Sequence, residues 1–468
     1  MKSDIEAVTR RIADDRFVSQ DTLPLSIMGW KQAGGCRSEV RKIGRAKYDA
    51  SEAQVVMTFV DMPAPVEQGS ASTRNSTDPH HPLAYWMLHW TRNQTGRPWF
   101  NGRSEHTAPR PRSREAPVNY WIGILFRIIP LAMGAVCLSL GLNVLAGGAD
   151  AGHFVAGHVL IALTAICIAL FTTAAMIIRQ LTHTFSRTWM IILPIIGYSI
   201  ALATMLWGVM VLRQGSVPSF VAGHVVFGVG LIAACVSTVA TASSAFTLIP
   251  KNAHGRAQDG PPRDAYSGAV GAVLIAVPVV ATAIGFTWAA TLLRREADAP
   301  HFVAGHVLMG LSAICASLIA LASTVVRQVR NQFGEGERWA WTLWVLLMGT
   351  ANFGWGLFVL FGSERPERIA PGCVLLGLGM ICYSIVSKVW LLALVWRREC
   401  PLANRVPLIP ILTCLACLFF STFLAEAATA DPGFFVPARV LAGLGAVCFT
   451  LFSIVSILEA GTAGRDSA

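Results

Sequence analysis

The distribution of apolar and polar positions changes near residue 118. Upstream, charged and polar residues interrupt every apolar run, whereas downstream ten apolar stretches follow one another, separated by short polar connectors. About 20 apolar residues are enough for an α-helix to cross the hydrocarbon core of a membrane. The pattern therefore predicts ten transmembrane helices joined as antiparallel hairpins. The predicted spans are Asn119–Gly147, His153–Leu181, Thr188–Arg213, Ser219–Ile249, Tyr266–Leu293, His301–Val329, Arg338–Phe361, Ile369–Trp396, Val406–Ala428 and Phe434–Ala460.

A short motif recurs at the start of every second span. Phe-Val-Ala-Gly-His stands at 154–158, 220–224 and 302–306, and two divergent copies follow at 369–373 and 435–439. The fifth positions of successive copies are 66, 82, 67 and 66 residues apart. We interpret the chain as five tandem copies of one two-helix unit. Because each unit has two helices, all copies have the same orientation, and the hairpins would close into a pseudo-fivefold bundle.

Composition supports a membrane class and divides the chain in two. Hydrophobic residues make up 54% and charged residues 14% of the sequence, where a soluble domain has about 25% charged residues. Residues 1–117 contain 17 Lys or Arg and 13 Asp or Glu, against 20 and 14 in residues 118–468. We expect a disordered polar leader over 1–117 and a transmembrane domain over 118–468. A second hypothesis is that translation naturally starts at Val118.

Loop charge predicts the orientation of the helices. Loops after even-numbered spans and the C-terminal tail contain 12 Lys or Arg, and the loops on the other side contain five. Positive charge is enriched in cytoplasmic loops, so both termini are expected in the cytoplasm and all five motifs at the periplasmic side. In residues 118–468 the positive charges lie almost entirely in these loops, so topology explains them without nucleic-acid binding.

The motif histidines are candidates for pH sensing. His158, His224 and His306 occupy equivalent positions, and an imidazole titrates near pH 6.5. They would form part of a ring around the outer mouth, completed by Cys373 and Arg439. His153 and His301 lie five residues earlier and join the candidates; alternatively, each His is satisfied by a carbonyl of its own hairpin. The Gly and Ala positions of the motif favour close helix packing.

Few other polar side chains lie within the spans. Lys388 is either a functional group at depth or a lysine that extends to the membrane surface. Asn352 lies in mid-span, and Glu426 is expected to pair with Arg439. No residues at ligand spacing predict a metal site, and no catalytic or cofactor motif is present. The expected partners are the lipid bilayer and protons or small ions, with protein partners open.

Several segments resemble the YhiM-type family of enterobacterial inner-membrane proteins. They are the three Phe-Val-Ala-Gly-His copies and the segments 249–253, 379–398 and 441–460. The resemblance implies a ten-helix inner-membrane protein linked to survival at low pH, and it carries no assigned catalytic residues. Two functions follow as hypotheses: a pH-responsive channel or transporter, or a non-transporting membrane scaffold that acts under stress.

Overall fold

The computed structural model describes residues 116–181, 186–244, 266–397 and 405–462. The leader up to residue 115 lies outside these ranges, and the expectations about it remain predictions. Ten α-helices make up most of the described part. They are α1 Ala116–Gly147, α2 Ala151–Leu181, α3 Arg187–Leu212, α4 Val217–Ser243, α5 Gly268–Leu293, α6 Ala299–Val329, α7 Glu335–Gly362, α8 Ile369–Arg397, α9 Leu408–Ala427 and α10 Phe435–Thr462.

All ten helices are long and apolar enough to cross a membrane, as the hydrophobic pattern predicts. Boundaries differ by a few residues. Helix α4 ends at Ser243, and the remainder of the predicted span to Ile249 lies outside the described residues. Helix α9 begins at Leu408, directly after Pro407. Proline lacks a backbone N–H and fits only the start of a helix, so the predicted start at Val406 was slightly early.

The even-numbered helices form an inner ring. Helix α2 packs against α4, α4 against α6, α6 against α8, α8 against α10, and α10 against α2. Each odd-numbered helix packs on the outside, against its own hairpin partner and the preceding inner helix. In the inner helices 61% to 89% of the most apolar window is buried, against 22% to 33% in the outer ones. The outer helices therefore present the lipid-facing surface. The contacts between helices show the closed ring. The interpretation of the chain as five copies of one two-helix unit remains a prediction.

Glycines bring the two helices of a hairpin together. The fourth motif residue, Gly223 on α4, faces Gly208 on α3: a Cβ atom at Gly208 would lie 2.9 Å from the Gly223 carbonyl oxygen and 2.7 Å from the Phe227 nitrogen. Gly157 faces Gly141, and Gly372 faces Gly356, in the same way. These positions support the packing interpretation of the motif glycine.

Candidate functional site

A cavity lies where the five inner helices meet, near the middle of their length. Each of these helices contributes residues that follow the fifth motif position by eight, twelve and, in all but α10, fifteen places. Because all five inner helices line one cavity, it lies on the axis of the ring. The lining residues are Ile166, Leu170, Thr173, Ile232, Val236, Val239, Ile314, Leu318, Leu321, Ile381, Ile385, Lys388, Val447 and Leu451.

Lys388 is the one charged side chain in this lining. It is 3% exposed, and no hydrogen bond or ion pair joins it to any part of the chain that the structure describes. The nearby hydroxyls are engaged elsewhere: Ser384 bonds Thr413 at 2.6 Å, and Ser387 donates to the Ser384 carbonyl. Lys388 therefore lines the cavity and, being buried, does not extend to the membrane surface.

The rest of the lining is almost entirely aliphatic. Thr173 is the other polar residue, and its hydroxyl donates to the Ala169 carbonyl at 3.2 Å. The centre of a water molecule can occupy about 30 Å³ of this cavity. The cavity therefore has room for about one or two water molecules. The Thr173 oxygen is thus the one side-chain acceptor in this small wall, and no hydrogen bond among the described residues joins it to Lys388.

The axis is closed between the cavity and the motif end of the bundle. Helical periodicity places the residues one and five positions after the motif on the same side of each helix as the cavity lining. All ten are aliphatic and buried, so no polar track follows these positions. They are Val159, Leu163, Val225, Val229, Val307, Leu311, Val374, Leu378, Val440 and Leu444.

The motif histidines lie at junctions between hairpins. In each, Nδ1–H donates to the carbonyl of the Phe four residues earlier, at 2.8 Å in His158, 2.7 Å in His224 and 2.8 Å in His306. Because a carbonyl only accepts, Nδ1 carries the proton and Nε2 remains an acceptor. The bond comes from the same helix, which agrees with the packing alternative.

Each of these imidazoles also faces a tryptophan of the next hairpin. The ring centres are 5.4 Å apart for His158 and Trp207, 5.2 Å for His224 and Trp288, and 5.9 Å for His306 and Trp355. None of the three histidines lines the central cavity. The expected ring around a central mouth is therefore not formed, because the fifth motif position points sideways towards the neighbouring hairpin. Cys373 and Arg439 stand at the same position of α8 and α10.

His153 and His301 bridge neighbouring inner helices at the motif end. The His153 ring lies 4.4 Å from Phe435 of α10, and the His301 ring 4.7 Å from Phe220 of α4. His153 Nδ1 is 2.5 Å from the Asp150 carboxylate, whereas His301 Nδ1 is 3.6 Å from Asp298. Hydrogen bonds from the His153 backbone N–H, and then from its imidazole, hold the pKa of the Asp150 carboxyl below its usual value.

The remaining sequence candidates have structural neighbours. Asn352 on α7 donates from Nδ2 to the Gly310 carbonyl on α6 at 3.1 Å, which ties an outer helix to the inner ring. The ion pair expected between Glu426 and Arg439 is absent from the salt bridges among the described residues. Arg439 instead lies over the ring of Phe435, one turn earlier on its own helix, with 5.1 Å to the ring centre.

Sequence reasoning missed two kinds of residue. Glu459, which the sequence analysis did not single out, is 7% exposed near the end of α10. The tryptophans beside the motif histidines were also missed, and their recurrence on α3, α5 and α7 was the available signal. Within the described ranges, no group of three or more His, Cys, Asp or Glu could hold a metal ion.

Comparison with known proteins identifies the family of the chain. Residues 118–463 match the family model described as "Protein of unknown function (DUF2776)". The curated "Inner membrane protein YhiM" of Escherichia coli (strain K12) is 58% identical over 350 residues, which cover 74% of this chain and 100% of that protein. With ten apolar helices in the same region, this chain belongs to the DUF2776 family and is a multi-pass inner-membrane protein.

Proposed function

We propose that this inner-membrane protein contributes to survival at low pH as an acid-responsive pathway for protons or small ions, closed in the present conformation. The observation that carries the proposal is Lys388, an ionisable side chain without a partner among the described residues, in a cavity on the ring axis. An ionisable residue at membrane depth is costly and marks ion or proton pathways. A bundle that only fills the membrane has no need of one.

The aliphatic layers beside the cavity act as the gate. Five Val or Leu side chains meet at each level between the cavity and the motif end. Hydrophobic constrictions of this kind close a pathway by excluding water, and they open when the helices move apart. The opening would therefore require a small outward displacement of the inner helices at the motif end.

The motif histidines supply the response to acid. Their free Nε2 atoms lie at the junctions where hairpins must separate, and protonation there adds positive charge between packed rings. His301 lies near His224, and both Glu296 and Arg365 lie near His306. We place the motif end at the periplasm and both termini in the cytoplasm, on the distribution of Arg and Lys between the loops. These histidines would then meet external acid first.

The proposal is tested by flux through liposomes that contain the full-length chain. Proton and ion flux are measured at external pH values from 4 to 8, for the native protein, for Lys388→Met, and for a variant with His158, His224 and His306 all changed to Asn. We expect flux that appears on acidification, is lost in Lys388→Met, and is shifted or lost in the triple variant. Folded protein that gives no flux above empty liposomes at any pH refutes the pathway.

A second candidate is a non-transporting scaffold that stabilises the membrane or a partner complex under acid stress. The aliphatic filling of the axis favours it. In either case we propose a protein that is not an enzyme, needs no cofactor and does not bind nucleic acid, with the bilayer as its main partner. The same flux measurement separates the two candidates, because a scaffold conducts nothing at any pH.

A further inference from the structure

We infer that the central cavity binds one small monovalent anion, of the size of chloride, against the ammonium group of Lys388. The inference rests on the proposed pathway along the ring axis and names the ion that occupies it. It stands on three observations: the burial of Lys388, the lack of a partner for it, and the size and composition of the space in front of it.

In its protonated form Lys388 requires a counter-ion. A buried ammonium group is tolerated only where a partner compensates its lost hydration. The faces turned to the cavity by α2, α4, α6 and α10 carry Ile, Leu, Val and Thr173, and α8 adds Ile381 and Ile385 beside Lys388. No carboxylate, thiol or imidazole lines this space. The counter-ion must therefore come from outside the lining.

The cavity selects the ion by size and charge. Room for about one or two water molecules admits a halide ion, whereas sulfate, phosphate and organic carboxylates exceed it. A cation would meet the ammonium and, as the one side-chain acceptor of the lining, the Thr173 hydroxyl oxygen. An aliphatic wall also disfavours ions that hold their hydration shell strongly. These properties together favour chloride and bromide.

Lys388 is the one charged residue among the five equivalent positions of the inner helices. The residues that correspond to Lys388 are Thr173, Val239, Leu321 and Ile454, all buried. The other four inner helices thus have uncharged side chains at this position, and α8 alone has a charged one. We expect one bound anion per chain.

The test is chloride-35 nuclear magnetic resonance of the purified full-length protein in detergent. Chloride replaces gluconate at constant sodium concentration and pH, and the excess line width reports chloride in slow-tumbling sites. The native protein is expected to broaden the line, and bromide to remove the broadening by competition. Lys388→Met should reduce the excess width to the level of the detergent alone.

Two further variants keep the test decisive. Thr173→Leu fills the cavity while it leaves the ammonium in place, so it should also abolish the broadening; Leu and Ile already occupy the equivalent positions of α6 and α10. Arg439→Met removes a cation that lies over Phe435 and outside the cavity, so it should leave the broadening unchanged. Circular dichroism and size-exclusion chromatography check that each variant is folded.

The chloride site and the proposed pathway can be refuted independently of each other. Absence of broadening in the native protein, or broadening that survives both Lys388→Met and Thr173→Leu, overturns the anion site. Acid-induced proton flux without chloride binding would leave the proposed pathway standing and remove this inference. Chloride binding without any flux would keep the site and reject the pathway.

Discussion

Leu444 of α10 occupies the space that a side chain at Gly377 of α8 would need. A Cβ atom at Gly377 would lie 2.6 Å from Leu444 Cδ1 and 2.5 Å from Leu441 Cδ2. The relation recurs around the ring, since Gly228 faces Leu311 and Leu308. Gly310 and Gly443 meet the leucines of the next inner helix in the same way. At four of the five junctions, an inner helix therefore inserts two branched side chains above a glycine of its neighbour, and the fifth junction has Ala162 of α2 at the equivalent position.

Replacement of Gly377 by valine should lower the stability of the ring. The added methyl groups would overlap Leu441 and Leu444, and overpacking of a core costs about 1–3 kcal/mol. We expect the thermal unfolding midpoint in detergent to fall by several degrees. The matched control is Gly354→Val on α7, where an added Cβ meets no atom within 4 Å. An equal midpoint for the two variants would contradict the interlocking of the inner helices.

Alanine variants distinguish the two kinds of glycine contact. At Gly208 an added Cβ meets backbone atoms of α4, the Phe227 nitrogen at 2.7 Å and the Gly223 oxygen at 2.9 Å. At Gly377 it meets only the ends of leucine side chains, which can rotate aside. Gly208→Ala should therefore lower the unfolding midpoint more than Gly377→Ala does. The reverse order would mean that the α3–α4 hairpin is less tightly packed than the structure shows.

The architecture follows from the sequence more readily than the site does. Ten apolar stretches and the repeated motif are enough to predict ten helices in hairpins. The side of each inner helix that faces the axis is not predictable in this way, because these helices are apolar all round and leave no polar face to read. For this reason His158 was expected at a central mouth, although it faces Trp207 of the next hairpin. Lys388 stood out in the sequence because its four counterparts are uncharged.

The ion pair predicted from the sequence but not found among the described residues shows a second limit of sequence-based prediction. Glu426 and Arg439 are close along one hairpin, but proximity along the chain does not set side-chain direction. In the structure Arg439 follows its own helix back to Phe435, as side chains on a helix point towards its N-terminus.

Acid should weaken the start of α2 through Asp150. The pKa of this carboxyl is held below its usual value, chiefly by the backbone N–H of His153. A lowered pKa means that the carboxylate stabilises the folded state above its ordinary pKa near 4. That contribution is lost as the pH falls through the lower folded value. The protection of the amides of residues 151–155 against hydrogen exchange, relative to their intrinsic exchange rates, should therefore fall below pH 4 in the native protein.

Asp150→Asn provides the comparison for this pH dependence. The amide cannot ionise, so exchange in the first turn of α2 should already be faster at neutral pH and should change less on acidification. The first turn of α4, which is capped by Ser216 through Ser219 N–H, serves as an internal reference in both proteins. Identical pH profiles for the native protein and Asp150→Asn would show that this carboxylate does not stabilise the turn.

The proposed orientation makes a prediction about loop accessibility. Gln214 lies in the α3–α4 turn at the motif end, and Gln332 lies in the α6–α7 turn at the opposite end; both are exposed. The nine cysteines of the described helices are buried, and the other two, Cys36 and Cys400, are replaced by serine so that a new surface cysteine can be labelled selectively. In spheroplasts, a membrane-impermeant maleimide should label Gln214→Cys and should label Gln332→Cys only after lysis. The opposite pattern would place the termini in the periplasm.

Lys388 should lower the stability of the fold that contains it. A buried ammonium without a partner is destabilising because its lost hydration is not compensated, and an apolar side chain of similar length does not carry this cost. We therefore expect Lys388→Met to raise the unfolding midpoint by several degrees when gluconate is the only anion, while flux is lost. Leu321→Met, at the equivalent position of α6, should change the midpoint little. In chloride the advantage of Lys388→Met should shrink, because a bound anion stabilises the native protein alone. A lower midpoint for Lys388→Met in gluconate would show instead that the ammonium makes a stabilising contact within the folded chain.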